Sequence, residues 1–135
     1  MNDEREGQVA INSEGDIVIA RKIVRDVAMA IGFGVTDVTR IVTAASELTR
    51  NVFRYAGSGI MSWRMLNAGE HIGIELTFED HGPGIPDVEQ AMEIGYTTSG
   101  GLGLGLPGAR RLMDEMAIQS EVGKGTRVTV KKWRR

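Results

Sequence analysis

Glu47 and Asn51 stand four residues apart in Ser46-Glu47-Leu48-Thr49-Arg50-Asn51. On a helix that spacing puts a carboxylate and an amide on one face with Cβ atoms ~6 Å apart. The carboxylate can then polarise a hydroxyl or water while the amide oxygen serves Mg²⁺. Taken alone, the pair reads rather as an ordinary exposed polar couple on an amphipathic helix. A second stretch, Asp80-His81-Gly82-Pro83-Gly84-Ile85, closes an alternating segment with a carboxylate. Such a group can accept hydrogen bonds from an exocyclic amine, which selects adenine over guanine, and Gly82 and Gly84 would let a turn approach a flat base closely. An aspartate turn after a strand is also common for its own sake. The third stretch, Gly100-Gly101-Leu102-Gly103-Leu104-Gly105, runs into Pro107. Its backbone N–H groups and a following helix N-terminus can converge on phosphate oxygens, a mobile linker being the bland alternative. Each stretch is weak by itself; in this order the three describe one ATP pocket.

The elements that must hold these residues are legible from periodicity. Gln8 to Ile11 fits a short edge strand, and Ser13 with Asp16 resembles a capping box for a helix over 16–31, where Ala20, Ile23, Val24, Val27 and Ile31 recur at three and four. Thr36 is the expected cap of the next helix. In it Val38, Ile41, Val42, Ala45, Leu48 and Val52 form one apolar stripe, with Glu47 and Asn51 beside it. Ile60 to Leu66 and His71 to Glu79 read as a hairpin, the second strand alternating Ile72, Ile74, Leu76 and Phe78 with polar residues and ending at Asp80. A short helix over 88–94 is expected next. Tyr96-Thr97-Thr98-Ser99 has no period and is read as a lid. Pro107 suits the first turn of a helix running to about Glu115, with Ala109, Leu112, Met113 and Met116 inward. Strands at 117–122 and 127–133 close the chain. The pattern implies one α+β domain over 1–135, a two-layer sandwich with a mixed β-sheet and helices on one face.

Composition narrows the classes. The 135 residues contain no cysteine, so neither a disulfide framework nor a thiolate metal site is available, and a reducing cytoplasmic compartment is expected. The charged N-terminus does not resemble a secretory signal, and no apolar run approaches the ~20 residues of a membrane span. A formal charge of −2 offers no general attraction to nucleic acid. The basic end Lys131-Lys132-Trp133-Arg134-Arg135 is read as a solvated strand terminus. His71 and His81 have no metal-ligand spacing and are read as structural or solvent-facing. Arg50, Arg110, Arg111 and Lys124 are within reach of a phosphate in principle, although exposed basic residues are usually just solvated. The G-x-G-x-x-G from Gly103 to Gly108 is rejected as a dinucleotide motif because 96–101 is no strand. Lys124 is no Walker lysine, being followed by Gly125 and having Ile118 where that motif needs glycine.

The set Glu47-x-x-x-Asn51, Asp80-x-Gly82-x-Gly84, Gly101-x-Gly103-x-Gly105 and Gly125-Thr126 resembles the ordered boxes of the Bergerat-fold (GHKL) ATP-binding superfamily. Within it, Ser46 to Asn51, Gly95-Tyr96-Thr97-Thr98-Ser99-Gly100 and Gly103 to Gly108 are most similar to the RsbT-type serine/threonine kinases of the bacterial stressosome. The resemblance covers nearly the whole chain and implies ATP and Mg²⁺ as cofactors. It implies Glu47 as general base, Asn51 as Mg²⁺ ligand, and Asp80 as the adenine acceptor with Gly82, Gly84 and Ile85 beside the base. Thr126 is implied near the ring through a water, and Gly100, Gly101, Leu102, Gly103, Leu104 and Gly105 along the phosphates. The implied partners are STAS-domain antagonists, RsbS-like and RsbR-like, as substrates and scaffold, and a PP2C-type, RsbU-like phosphatase downstream, with no nucleic acid and no membrane. Two alternatives stay open: an anti-sigma factor kinase that also holds a sigma factor, and a catalytically idle ATP-gated binding module.

Overall fold

A chain whose apolar residues alternate in five segments and recur at three and four in two long ones can bury both patterns only by laying helices across a sheet. The computed structural model describes residues 5–92 and 105–135. The element order is β1 (Glu6–Ile11), α1 (Gly15–Ile31), α2 (Val35–Ala56), β2 (Gly59–Ala68), β3 (His71–Asp80), α3 (Val88–Ala91), α4 (Gly105–Leu112), β4 (Glu115–Glu121) and β5 (Gly125–Trp133). The strands form one sheet in the order β1-β2-β3-β5-β4. The α+β two-layer sandwich is as expected. The sequence left room for parallel pairs in a mixed sheet, but all four observed pairings are antiparallel, the two hairpins β2–β3 and β4–β5 fixing two of them directly.

The strand register sorts side chains into rows. On the helix-covered face, Met61, Phe78, Val128 and Ile118 lie opposite one another across β2, β3, β5 and β4, as do Trp63, Leu76, Val130 and Met116. Ile41, Ala45, Leu48 and Val52 of α2 and Ala20, Val24 and Ala28 of α1 bury themselves against this apolar field. Truncating a fully covered member such as Leu48 to Ala belongs to a class of change that costs 2–5 kcal/mol by order of magnitude, ~3 being typical. The uncovered face carries a row of alternating charge, Glu6, Arg64, Glu75, Lys131 and Glu115, one residue from each strand in sheet order. Glu75 sits between Arg64 at 3.0 Å and Lys131 at 3.8 Å, so this face neutralises itself across the sheet.

Several boundaries differ from expectation, each for a local reason. Helix α2 begins at Val35 with Gly34 as its extended N-cap, so Thr36 lies inside the helix and caps nothing. Half of the expected capping box at α1 is made: the Asp16 carboxylate accepts the N–H groups of Asn12 and Ser13 at 2.8 and 3.1 Å. These bonds hold the Asp16 carboxyl below its ordinary pKa. Gly32, at φ 104°, ends α1 in the left-handed region as expected. Helix α4 stops at Leu112, because Glu115 and Met116 already pair with Lys131 and Val130 in the sheet. Met116 is therefore a sheet residue against the core rather than a helix residue. The basic C-terminal segment is not simply solvated: Lys132 is buried, Arg134 donates to the Ile31 carbonyl at 2.8 Å, and Arg135 pairs with Asp114 at 2.9 Å. His71 is exposed and meets Trp133 edge-on, in keeping with a structural role. No helix among the described residues is long and apolar enough to cross a membrane.

Candidate functional site

One more row on the helix-covered face changes character. Opposite Gly59 of β2 stands Asp80 of β3, then Thr126 of β5, then Ser120 of β4. A polar row thus borders the apolar field at one end of the sheet. Asp80 is half-buried there, and its Oδ1 accepts the N–H of Gly82 at 2.9 Å and that of Thr126 at 3.3 Å. Its Oδ2 takes no protein hydrogen bond among the described residues. One oxygen is therefore clamped and the other remains an open acceptor in a half-buried place. That is the chemistry an amine-bearing ring would satisfy.

The turn after Asp80 is fastened from two sides. A Cβ on Gly82 would lie 2.7 Å from the Cβ of Ala56, so the turn rests directly on the C-terminal end of α2. Gly84 has φ 79°, and a Cβ there would run into the carbonyl of Glu121. The sequence offered close approach to a flat base as the reason for these glycines. The structure gives each a reason internal to the protein: the turn is wedged between α2 and the end of β4. From the other side, Gly123 N–H donates to the Pro83 carbonyl at 2.8 Å and Ile85 N–H donates to Ser120 Oγ at 2.7 Å. Ser120 Oγ also lies 2.8 Å from Thr126 Oγ1 and 3.2 Å from the Gly125 carbonyl, so it joins Ile85, Thr126 and, through the Thr126 backbone, Asp80.

Ser120 is the site residue that sequence reasoning missed. The signal was present: Met116, Ile118 and Ser120 share one face of β4, and a serine interrupts the apolar alternation there.

On α2, Glu47 and Asn51 are both half-buried and one turn apart. At 3.6 residues per turn, Arg50 stands about 60° to one side of Glu47 and Asn51 about 40° to the other. The Arg50 Nη1 lies 2.6 Å from Glu47 Oε1, a short charge-assisted hydrogen bond. Because Ala56 of the same helix abuts Gly82, the helix that carries Glu47 and Asn51 and the turn that follows Asp80 are parts of one assembly. Among the described residues no three of His, Cys, Asp and Glu gather to hold a metal. A cation beside Asn51 would be held by one or two protein oxygens together with phosphate and water. That donor set suits Mg²⁺, and the residues present fit it.

Gly100, Gly101, Leu102, Gly103 and Leu104, and the lid expected over 96–101, lie outside the described residues. Gly105 is the first residue of α4, and Pro107 falls in its first turn as expected. Of the other basic candidates, Lys124 pairs with Glu121 at 3.4 Å, both exposed, while Arg110 and Arg111 are exposed near the end of α4, away from its N-terminus.

The geometry thus brings together Asp80 at a strand end, a glycine turn leaning on α2, and Glu47 and Asn51 one turn apart on that helix. Residues 36–135 match the family described as histidine kinase-, DNA gyrase B-, and HSP90-like ATPases. The chain is 48% identical over its full length, and over the full length of the relative, to the serine/threonine-protein kinase RsbT of Bacillus subtilis. It is 32% identical to an anti-sigma F factor of Geobacillus kaustophilus, over 98% of this chain and 93% of that one. Among solved structures, the RsbU and RsbW domains of a Mycobacterium tuberculosis protein align with TM-score 0.62 and 19% identity, covering 96% of this chain and 32% of that chain. The mycobacterial sensor histidine kinase MprB aligns with TM-score 0.57 and 21% identity, over 96% and 98% of the two chains. The chain belongs to this ATPase family and, within it, to the serine/threonine-protein kinases of the RsbT type.

Proposed function

We propose that this kinase transfers the γ-phosphoryl group of ATP to serine or threonine on STAS-domain antagonist proteins, RsbS-like and RsbR-like. Once released from them it activates a PP2C-type, RsbU-like phosphatase in a cytoplasmic stress-signalling pathway. The observation that carries the catalytic part is Glu47, intact and half-buried, one turn from Asn51 on the helix that supports the Asp80 turn. An idle nucleotide-gated module has no use for that carboxylate.

In this reading Asp80 accepts the adenine amine through Oδ2, Ile85 lies along the ring, and Thr126 and Ser120 hold the edge of the pocket. The loop 100–105 and the N-terminus of α4 receive the phosphates through backbone N–H groups. Mg²⁺, held by Asn51 with phosphate oxygens, would neutralise charge on the triphosphate. Glu47 orients the incoming hydroxyl and takes its proton. The hydroxyl oxygen bonds to the γ-phosphorus, the bond from that phosphorus to the β,γ-bridging oxygen breaks, and ADP leaves with the bonding pair. Positioning and charge neutralisation account for most of the catalysis. The product phosphate, of charge near −2, weakens a fitted protein interface and releases the kinase.

The test uses the purified protein, an RsbS-like STAS protein from the same organism and Mg·ATP labelled in the γ position. Glu47→Gln is expected to keep nucleotide affinity within a few fold while transfer falls by ~10² or more. Full transfer by Glu47→Gln would place the base elsewhere. The 32% identity to an anti-sigma F factor supports a second reading, in which the protein also holds a sigma factor. A stable complex with a sigma factor in the same mixture would favour it.

A further inference from the structure

Arg50 has a place in the site that the nucleotide-binding roles leave unused. Its guanidinium reaches back one turn to Glu47 at 2.6 Å, with both side chains about two-thirds buried at 39% and 33% exposure. Among the described residues only Glu47 Oε1 is engaged, through Nη1. The contact comes from the flank of Glu47 opposite Asn51, so it occupies neither the side where a cation would sit nor the second carboxylate oxygen. An arginine recruited for phosphate would be wanted on the Asn51 side, where the triphosphate and its metal meet the helix. The geometry therefore separates two uses of one cation, and it favours the carboxylate over the phosphate.

We propose that Arg50 is a positioning residue for the phosphoryl transfer: it fixes the Glu47 carboxylate by one oxygen and thereby presents the other to the incoming hydroxyl. This rests on the reading of Glu47 as the base. A free glutamate on a helix surface samples several rotamers, whereas one tied by a short charge-assisted bond at i+3 is held in few. A well-placed general base contributes because its geometry is set before the substrate arrives. The proton path is unchanged by the pairing, since the hydroxyl proton goes to Oε2 while Oε1 stays on the guanidinium. Lysine can hold the same oxygen as a point charge but without the planar fork, so it should serve in part.

The experiment compares wild type, Arg50→Ala, Arg50→Lys, Glu47→Gln and the Glu47→Gln/Arg50→Ala double variant. Phosphoryl transfer to the RsbS-like STAS protein is followed in single turnover, and nucleotide binding by calorimetry. Arg50→Ala is expected to lower the transfer rate by ~10-fold with the Kd for Mg·ATP within ~2-fold, and Arg50→Lys to recover most of that loss. In the Glu47→Gln background, removing Arg50 should change the residual rate by less than ~2-fold, because the group it positions is already gone. Three results would overturn the proposal: a Kd raised ~10-fold with the rate intact, which makes Arg50 a phosphate ligand; an unchanged rate in Arg50→Ala; or the same ~10-fold loss in both backgrounds. Melting curves accompany each variant, and if Arg50→Ala unfolds, Arg50→Gln takes its place in the same cycle. Full activity of Glu47→Gln alone would remove the base assignment itself, and is told apart from the other failures by that single variant.

Discussion

The helix-covered face of the sheet ends in a charged residue at both extremities, and the protein compensates the two charges differently. At one end Asp80 has one oxygen clamped by Gly82 and Thr126 and the other unclaimed by the described protein. At the other end Lys132, on the same face of β5 as Thr126, is 6% exposed and held by groups of the protein itself. Its ammonium donates to the Leu112 carbonyl at 2.9 Å and lies 3.8 Å from Asp37 and 3.7 Å from Asp114. One hydrogen bond and two longer ion-pair contacts make a staple between the start of α2, the end of α4 and the sheet. A spare lone pair in a half-buried niche is what the proposed adenine site requires. What distinguishes the two is how far the protein's own groups already compensate the charge, not burial itself.

The comparison can be broken at the staple first. Lys132→Ala leaves the Leu112 carbonyl without its donor and removes the packing of a buried stem, while Asp37 keeps Arg40 and Asp114 keeps Arg135 and the Trp133 N–H, and it is expected to destabilise the protein by about 3 kcal/mol. Denaturant unfolding measures it, and a loss below 1 kcal/mol would mean that the lysine is not the link described. Nucleotide affinity per folded molecule should change far less than stability.

Asp80→Asn should show the reverse pattern. The amide oxygen can keep the bonds from Gly82 and Thr126, so the midpoint of unfolding should move little. Where Oδ2 was, an NH₂ would face the amine it is meant to receive, and ATP affinity should fall by ~2 kcal/mol, or about 30-fold. Calorimetry on the folded variant decides this, and unchanged affinity would remove Asp80 from the pocket.

Ser120→Ala lies between the two. It leaves Ile85 N–H without its acceptor and Thr126 without its neighbour, so both stability and nucleotide affinity are expected to drop by about 1 kcal/mol each. A loss confined to stability would make Ser120 a purely structural link between β4 and the turn.

The smallest effect concerns pH at the Lys132 end. Burial pushes the Asp114 carboxyl up, but the Trp133 N–H, Arg135 and Lys132 outweigh it and hold the group below its ordinary value. A folded pKa below the unfolded one contributes stability that is complete above the unfolded value and is lost as pH falls through the folded one. Stability should therefore decline on acidification below pH ~4, and Asp114→Asn should flatten part of that decline. An identical acid limb in the variant would show that other carboxylates carry it.

What the sequence by itself determined was local. The alternation Ile72, Ile74, Leu76, Phe78 gave β3 its inner face and its end at Asp80, and the i, i+4 spacing put Glu47 and Asn51 on one side of α2 beside an apolar stripe. Both patterns are set by the geometry of a single element, with periods of 2 and 3.6 residues, so no distant contact is needed to read them. The tertiary structure decided which residues complete the site. Ile85 meets Ser120 across 35 residues and Asp80 meets Thr126 across 46, through the pairing of β3 with β5 and β5 with β4. Gly82 and Gly84 look like base-facing glycines in the chain, yet Ala56 and Glu121 are what exclude a side chain there. Lys132 reads as part of a solvated basic tail, and its burial follows from a register that places position 132 on the helix-covered face opposite Ile74. Registry between strands remote in sequence is a property of the folded sheet, and a one-residue slip would have sent each of these side chains to the other face.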